Sequence, residues 1–233
     1  MKKTKIKLSI IMPVYNEEKT IMNILERVKN SKIKAEKEIV IVDDFSRDGT
    51  REILGSIKDK KIKIVFHETN KGKGSAIRTG LQHVTGDFII IQDADLEYNP
   101  DEYHLLLDYA LENSIKVVYG SRMLKKENKK SYWSFYLGNI LVNRVANLLY
   151  WTKLTDVETC YKLVDRELIN SLNLKAEKFD FEPEVTAKIL KKGIEIKEIP
   201  ISYSPRSIEE GKKIRWKDGV DAIWTLIKYR FGD

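Results

Sequence analysis

Asp93 and Asp95 stand one residue apart, just after the strand-like run Asp87–Ile91. Two carboxylates in this spacing beyond a strand can reach one divalent cation, and Glu97, two residues further on, can add a third oxygen. Magnesium and manganese favour such oxygen ligands and keep substrate phosphates in their shell. The competing reading is an Asp-rich turn leading into the helix that Asn99-Pro100 opens.

Other polar groups follow other apolar runs. Lys71-Gly72-Lys73-Gly74-Ser75 fits neither the Walker spacing nor the dinucleotide pattern, where Ile77 stands in place of the last glycine. Glycines and lysines opening a helix nevertheless allow a diphosphate to approach the backbone. The alternative is a flexible turn. Asp44 and Glu17 suit the hydroxyl and imide donors of a nucleoside, or else the dipole of a helix start. Arg122 ends Gly120-Ser121-Arg122 and precedes the basic run Lys125–Lys130. Such a cluster can bind a phosphate or form a solvated loop.

Composition narrows the chemistry. Cys160 is the one cysteine, which excludes an internal disulfide and any CxxC metal site. His67, His83 and His104 are scattered and fall in no motif, so a His-activated hydroxyl nucleophile is not indicated. The 42 Lys and Arg against 35 Asp and Glu leave a charge of +7. That excess is compatible with nucleic acid, an anionic membrane or a phosphorylated substrate. Carboxylates at the strand ends would repel a nucleic-acid backbone, so no nucleic-acid partner is expected.

These residues need a frame, and the apolar pattern supplies one. Strands are expected at Leu8–Val14, Glu38–Val42, Ile62–Phe66, Asp87–Ile91 and Lys116–Tyr119, with helices between them. Asn16 is placed to cap the first helix, and Ser46 or Asp48 the second. Strands apolar on both faces and separated by helices indicate a mostly parallel α/β sheet. Ligands of such sheets lie beyond the carboxyl ends of the strands, where these polar residues fall.

The second half is less regular. Helices are expected at Trp133–Trp151, Glu182–Lys191 and Asp218–Phe231, and strands at Tyr161–Val164 and, broken at Pro200, Ile194–Tyr203. Asn139, Asn143 and Asn147 share one helix face, with aromatic residues at both ends. That helix can lie at a membrane headgroup layer or be buried against the sheet. No apolar stretch reaches the about 18 residues of a membrane span. Leu8–Val14 is short, contains Pro13 and leads into Asn16-Glu17-Glu18, so it reads as a strand and not as a signal peptide. One domain is expected over 1–233, with a nucleotide half at 1–122 and an acceptor half at 123–233. Its expected place is the cytoplasm, peripherally at the membrane.

The motifs resemble glycosyltransferase family two, whose fold is GT-A. The matching segments are Met12-Pro13-Val14-Tyr15-Asn16-Glu17, Val42–Thr50, Asn70–Gly74, Gln92–Glu97 and Gly120-Ser121-Arg122. In the second half, Thr155–Lys162, Phe179–Glu184 and Tyr203–Ile214 resemble the polyprenyl-phosphate sugar synthases, the dolichyl-phosphate mannose or glucose synthase group.

The resemblance implies an inverting hexosyl transfer from UDP-glucose, UDP-N-acetylglucosamine or GDP-mannose to a dolichyl or undecaprenyl phosphate. It implies that Pro13, Tyr15, Glu17 and Asp44 hold base and ribose, with Lys71 and Gly72 also on the donor side. Asp93 and Asp95 would meet the donor diphosphate and a Mg²⁺ or Mn²⁺ ion, with Glu97 where relatives often carry a metal-binding Gln. Arg122 would meet the acceptor phosphate, completing a catalytic group of Asp93, Asp95 and Arg122. Arg206 and Lys212 would lie on a loop covering the donor. Phe45 and Arg47 depart from the usual small residues, and the helix from Trp133 lacks the Arg and Ser that some mannose synthases use. Two rival readings are a family member acting on a soluble glycan or protein, and a non-catalytic module binding nucleic acid or membrane.

Overall fold

The computed structural model describes residues 5–128, 133–206 and 216–232. Its strands are β1 (Lys7–Val14), β2 (Glu36–Asp43), β3 (Ile62–Phe66), β4 (Phe88–Ile91), β5 (Val117–Ser121), β6 (Lys162–Asp165) and β7 (Lys197–Pro200). They form one sheet in the order β3-β2-β1-β4-β6-β5-β7. All neighbouring pairs are parallel except those of β6, which runs antiparallel to both β4 and β5. Helices α1 (Ile21–Asn30), α2 (Thr50–Ser56), α3 (Lys73–Leu81), α4 (Tyr103–Glu112), α5 (Trp133–Tyr150), α6 (Arg166–Asn170), α7 (Phe181–Lys191) and α8 (Trp216–Phe231) connect and cover the strands.

β1 reads as a continuous apolar run because helices and neighbouring strands bury both of its faces. Leu8, Ile10, Ile11 and Met12 are all 0% exposed, and burying each such side chain stabilises the fold by about 1.5–3 kcal/mol. From β1 the chain moves outward to β2 and β3, then returns to place β4 on the other side of β1. That reversal opens a crevice past the carboxyl ends of β1 and β4. The turns after both strands therefore face each other.

Several local expectations are revised. Asn16 does not cap α1; it takes a left-handed φ of 49°, and Thr20 is the N-cap. α2 begins at Thr50, capped at Gly49, after the positions proposed for its start. The strand expected over 194–203 starts later, at Lys197, and breaks at Pro200 as expected: β7 ends at Pro200, which has no N–H to continue pairing, and Tyr203 forms an isolated bridge with Tyr98. α6 is an added helix, capped by Asp165 accepting from the Leu168 N–H.

The asparagine face of α5 docks on the segment before β6. Asn147 donates to the Leu154 carbonyl at 2.9 Å and accepts its N–H at 2.8 Å. Asn143 bonds the Thr155 carbonyl and accepts the Val157 N–H, and Asn139 donates to Asp156 at 3.2 Å. Leu137, Leu141 and Leu148 on α5 stay exposed, as do Trp216, Val220, Trp224 and Phe231 on α8. α5 is thus held by its asparagine face and by packing on α7 and α8, and carries an exposed apolar stripe on its outer side. No helix among the described residues is long and apolar enough to cross a membrane.

Candidate active site

A cleft of about 1600 Å³ opens at the carboxyl ends of the strands. It is lined by Pro13, Tyr15, Glu17, Asp44, Lys71, Gly72, Asp93, Asp95, Glu97, Arg122 and Arg206. Lys212 lies outside the described residues. The far wall comes from α5 and α8, through Tyr136, Asn139, Val142 and Trp216.

The turns after β1 and β2 are stitched together. Ser46 Oγ accepts the Asn16 N–H at 2.9 Å, Asn16 Oδ1 accepts the Arg47 N–H at 2.8 Å, and Thr50 Oγ1 accepts the Glu17 N–H at 2.9 Å. Asp44 acts as a latch: its carboxylate accepts the N–H of Lys71 at 2.8 Å and of Gly72 at 2.7 Å, and lies 2.8 Å from His67 Nδ1. His67 reaches Thr79 with its other ring nitrogen, so this histidine shapes the loop from outside the cleft.

The glycine–lysine loop is built differently from the expectation. The Gly74 and Ser75 N–H groups donate to the carbonyls of Lys178 and Glu177 at 3.1 and 3.0 Å. With the two N–H groups that Asp44 takes, four backbone donors of the loop are taken up by the protein. Gly72 is required by packing: its φ is +91°, and a Cβ there would sit 2.3 Å from the Glu177 carbonyl oxygen. The loop's contribution to the cleft is a side chain, Lys73. Its Nζ lies 2.8 Å from Asp93 and 2.8 Å from Glu182. Burial works against its charge, but Asp93 and Glu182 override this and hold its pKa above the usual lysine range.

Asp93 and Asp95 leave β4 on a turn fixed from behind. Gln92 donates to the Asp93 carbonyl at 2.9 Å and accepts the Tyr103 and Tyr161 hydroxyls at 2.5 and 2.7 Å. Burial pushes the Asp95 carboxyl up to about 7, reinforced by Asp93 and Glu97 and opposed by Arg206. Glu97, expected as a third ligand, accepts the Tyr203 hydroxyl at 2.7 Å and the Arg206 N–H at 2.8 Å. Among the described residues no group of three or more His, Cys, Asp or Glu side chains is arranged to hold a metal.

The donor set still suits a hard cation. Glu17, Asp93, Asp95, Glu97 and Glu182 outnumber the two cations among them, Lys73 and Arg206. Arg206 spans this edge, 3.1 Å from Glu17 and 3.7 Å from Asp95. An oxygen-only site of net negative charge fits Mg²⁺ or Mn²⁺, and Asp93 and Asp95 are the residues that would hold it.

Arg122 leaves β5 into a prepared socket. Nε and Nη2 each bond Asp156 at 2.7 Å, and the guanidinium lies 5.0 Å from the Tyr203 ring centroid. Burial opposes both charges, but Arg122 and Asp156 override it for each other, raising one pKa and lowering the other. Nη1 has no protein partner among the described residues, so one edge of the fork remains for a ligand.

Sequence reasoning assigned no role to His67, Asp156, Glu158 or Glu182, and read Lys73 only as part of the glycine–lysine loop. Lys73, Asp156, Glu158 and Glu182 did lie inside the quoted motifs, which was the signal available. His67 carried none, because its partners are 23 and 12 residues away.

Comparison with known proteins gives the geometry a context. The family model described as glycosyl transferase family 2 matches residues 9–172. The chain is 29% identical over 212 residues to the dolichol-phosphate mannosyltransferase of Pyrococcus furiosus, covering 88% of this chain and 59% of that protein. It is 27% identical over 211 residues to the undecaprenyl-phosphate 4-deoxy-4-formamido-L-arabinose transferase of Sodalis glossinidius, covering 88% of this chain and 62% of that one. The chain thus spans about three-fifths of the length of these relatives. Its fold is similar to that of glucosyl-3-phosphoglycerate synthase from Mycobacterium tuberculosis, solved with Mn²⁺, UDP and glucosyl-3-phosphoglycerate. There the TM-score is 0.75 at 18% identity, over 99% of this chain and 81% of that one.

Proposed function

The chain belongs to glycosyl transferase family 2 and has its GT-A fold, and on that premise we propose that it transfers a hexosyl group from a nucleotide-sugar to a polyprenyl phosphate. The donor is UDP-glucose, UDP-N-acetylglucosamine or GDP-mannose, and the anomeric centre inverts. The observation that carries this reading is the arrangement of charge in one cleft. Carboxylates matched to a metal diphosphate stand at the end of β4, and a clamped Arg122 stands at the end of β5. The cleft's volume of about 1600 Å³ exceeds the roughly 300–1,000 Å³ of a pocket for one small molecule. Two substrates fit that space better than one.

Each residue then has a task. Tyr15, Glu17 and Asp44 shape the nucleoside end. Asp93 and Asp95 would hold a divalent ion, which when bound supplies charge stabilisation to the leaving diphosphate. Lys73, fixed between Asp93 and Glu182, adds a positive charge at the same end. Arg122 orients the acceptor phosphate with its free edge. A phosphate oxygen is anionic near neutral pH, so it attacks the anomeric carbon without a protein base as the bond to the diphosphate oxygen breaks. No histidine lines the cleft among the described residues, which agrees with that economy.

A lipid acceptor is supported by the relatives' polyprenyl-phosphate specificities and by the apolar stripes on α5 and α8, whose inner faces wall the cleft. Contact with the membrane would be peripheral, on its cytoplasmic side. The test incubates the protein with each labelled donor and polyprenyl phosphate, with Mg²⁺, Mn²⁺ or chelator. Chelator-sensitive label in the organic phase from one donor is the expected result. Metal-dependent donor cleavage without organic-phase label would instead move the acceptor to a water-soluble molecule.

A further inference from the structure

Glu158 lines the cleft from the turn that joins α5 to β6. Its Oε1 is buried without a hydrogen-bond partner, and its carboxyl makes no hydrogen bond to any described residue. Buried carboxylate oxygens are normally satisfied, because leaving one unpaired costs folding free energy. The residues that flank Glu158 on its own turn are bonded. Val157 donates its N–H to Asn143 at 2.8 Å, and Thr159 Oγ1 donates to the Gly120 carbonyl at 2.6 Å. Lys162 Nζ donates to the carbonyls of Val157 and Thr159 at 2.7 and 2.8 Å. The turn is therefore rigid on both sides of a side chain that has no bond of its own. That is how a protein presents a recognition group to a ligand.

Its position indicates which part of a ligand. Glu158 is near both the Arg122–Asp156 pair and Glu182, which connects through Lys73 to Asp93. The charges that act on Glu158 are Glu182 and Asp156, which repel it, and Lys162 and Arg122, which attract it. In the transfer proposed above, the leaving diphosphate sits at Asp93 and Asp95 and the nucleophile at Arg122. Glu158 then flanks the group in transit. Burial pushes the Glu158 carboxyl up to about 8, so near neutral pH it is an uncharged hydrogen-bonding group, and its counterpart is the uncharged polyol between the two phosphates.

We propose that Glu158 is a specificity-determining residue that accepts a hydrogen bond from a hydroxyl of the transferred sugar. This rests on the donor-transfer reading of the cleft. The test compares wild type with Glu158→Ala and Glu158→Gln, using UDP, the donor found to react, and deoxy analogues of that donor at each sugar hydroxyl. In Glu158→Ala, UDP or GDP alone binds as in wild type, while kcat/KM for the intact donor falls roughly 10- to 100-fold. Wild type loses a similar factor on one deoxy analogue, and Glu158→Ala is indifferent to that same deletion. Glu158→Gln keeps an acceptor oxygen and recovers part of the loss, and unchanged thermal melting separates recognition from folding.

If Glu158→Ala discriminates among the analogues as wild type does, the proposal is overturned while the transferase reading stands. If wild type binds no nucleotide-sugar, the transferase reading falls and this inference with it.

Discussion

Asp156 grips Arg122 at three points: Nε and Nη2 of the side chain at 2.7 Å each, and the backbone N–H at 2.9 Å. The carboxylate is 0% exposed, so the pair is fixed before any ligand arrives. Arg122→Lys keeps the charge and loses the planar fork. Transfer should fall about 10²-fold with little change in donor KM, since losing one positioned donor to a reacting oxyanion costs on that order. Asp156→Ala leaves a buried guanidinium unpaired and should cost about 3–5 kcal/mol in urea unfolding. Wild-type turnover in Arg122→Lys would remove the orienting role.

Asp95→Ala should separate metal binding from folding. Burial, Asp93 and Glu97 raise the Asp95 carboxyl to about 7, so its charged form costs stability above the ordinary carboxylate range. The metal-free variant is expected to melt at or above the wild-type temperature at pH 8. The rise in melting temperature that Mn²⁺ gives the wild type should disappear, and transfer should drop by about 10²- to 10³-fold. A Mn²⁺ shift that survives the substitution would place the ion elsewhere.

Gly72→Ala tests the loop's dependence on close backbone contact. The new Cβ meets the Glu177 carbonyl oxygen at 2.3 Å, in a backbone with φ +91°. Strain of about 1–3 kcal/mol is expected in chemical denaturation, together with weaker donor binding as the loop lifts away from Asp44. An unchanged denaturation midpoint would show that the loop moves freely.

Glu38 predicts an acid-dependent loss of stability. Burial works to raise its carboxyl, but Lys7, Ser9 and Thr85 override this and hold it near 2 against a usual 4.5. A depressed folded pKa gives stability that is present above about 4.5 and lost as pH falls toward about 2. Glu38→Gln should be less stable than wild type at pH 7, and the gap should close between those two values. A gap that stays constant with pH would contradict the assignment.

The exposed stripes on α5 and α8 predict membrane attachment. Leu141, Leu148 and Trp224 are 53%, 75% and 63% exposed, so changing all three to Gln should leave melting nearly unchanged. Sedimentation with anionic vesicles should be lost. Transfer to a long-chain polyprenyl phosphate in vesicles should fall, while a short soluble prenyl phosphate is still used. Equal loss on both acceptors would argue against a membrane role for these faces.

Much of this architecture is legible in the amino-acid order because its causes are local. A strand buried on both faces must be largely apolar, as β1 and β4 are, with the buried Ser9 of β1 bonded to Glu38, so the polar residue that ends each run marks a strand end. That is why Tyr15, Asp44, Asp93 and Arg122 could be placed at one edge of a parallel sheet from sequence. The asparagine spacing on α5 likewise announces one polar face, since residues four apart stack along a helix.

The partners of those residues depend on contacts between distant segments, which only the tertiary structure decided. β6 inserts antiparallel between β4 and β5, and the turn leading into it delivers Asp156 to Arg122 and Glu158 to the cleft. No local pattern encodes which strands become neighbours. Glu97 has the spacing of a third metal ligand, and its oxygens also accept from Tyr203 and Arg206, more than 100 residues later. The glycine–lysine loop has the composition of a phosphate cradle, and Asp44 and the carbonyls of 177–178 take four of its N–H groups. A hydrogen-bonding group binds whichever complementary group the fold brings nearest. The sequence by itself therefore determined where chemistry-bearing residues gather, and the tertiary structure decided which of them remain available to a substrate.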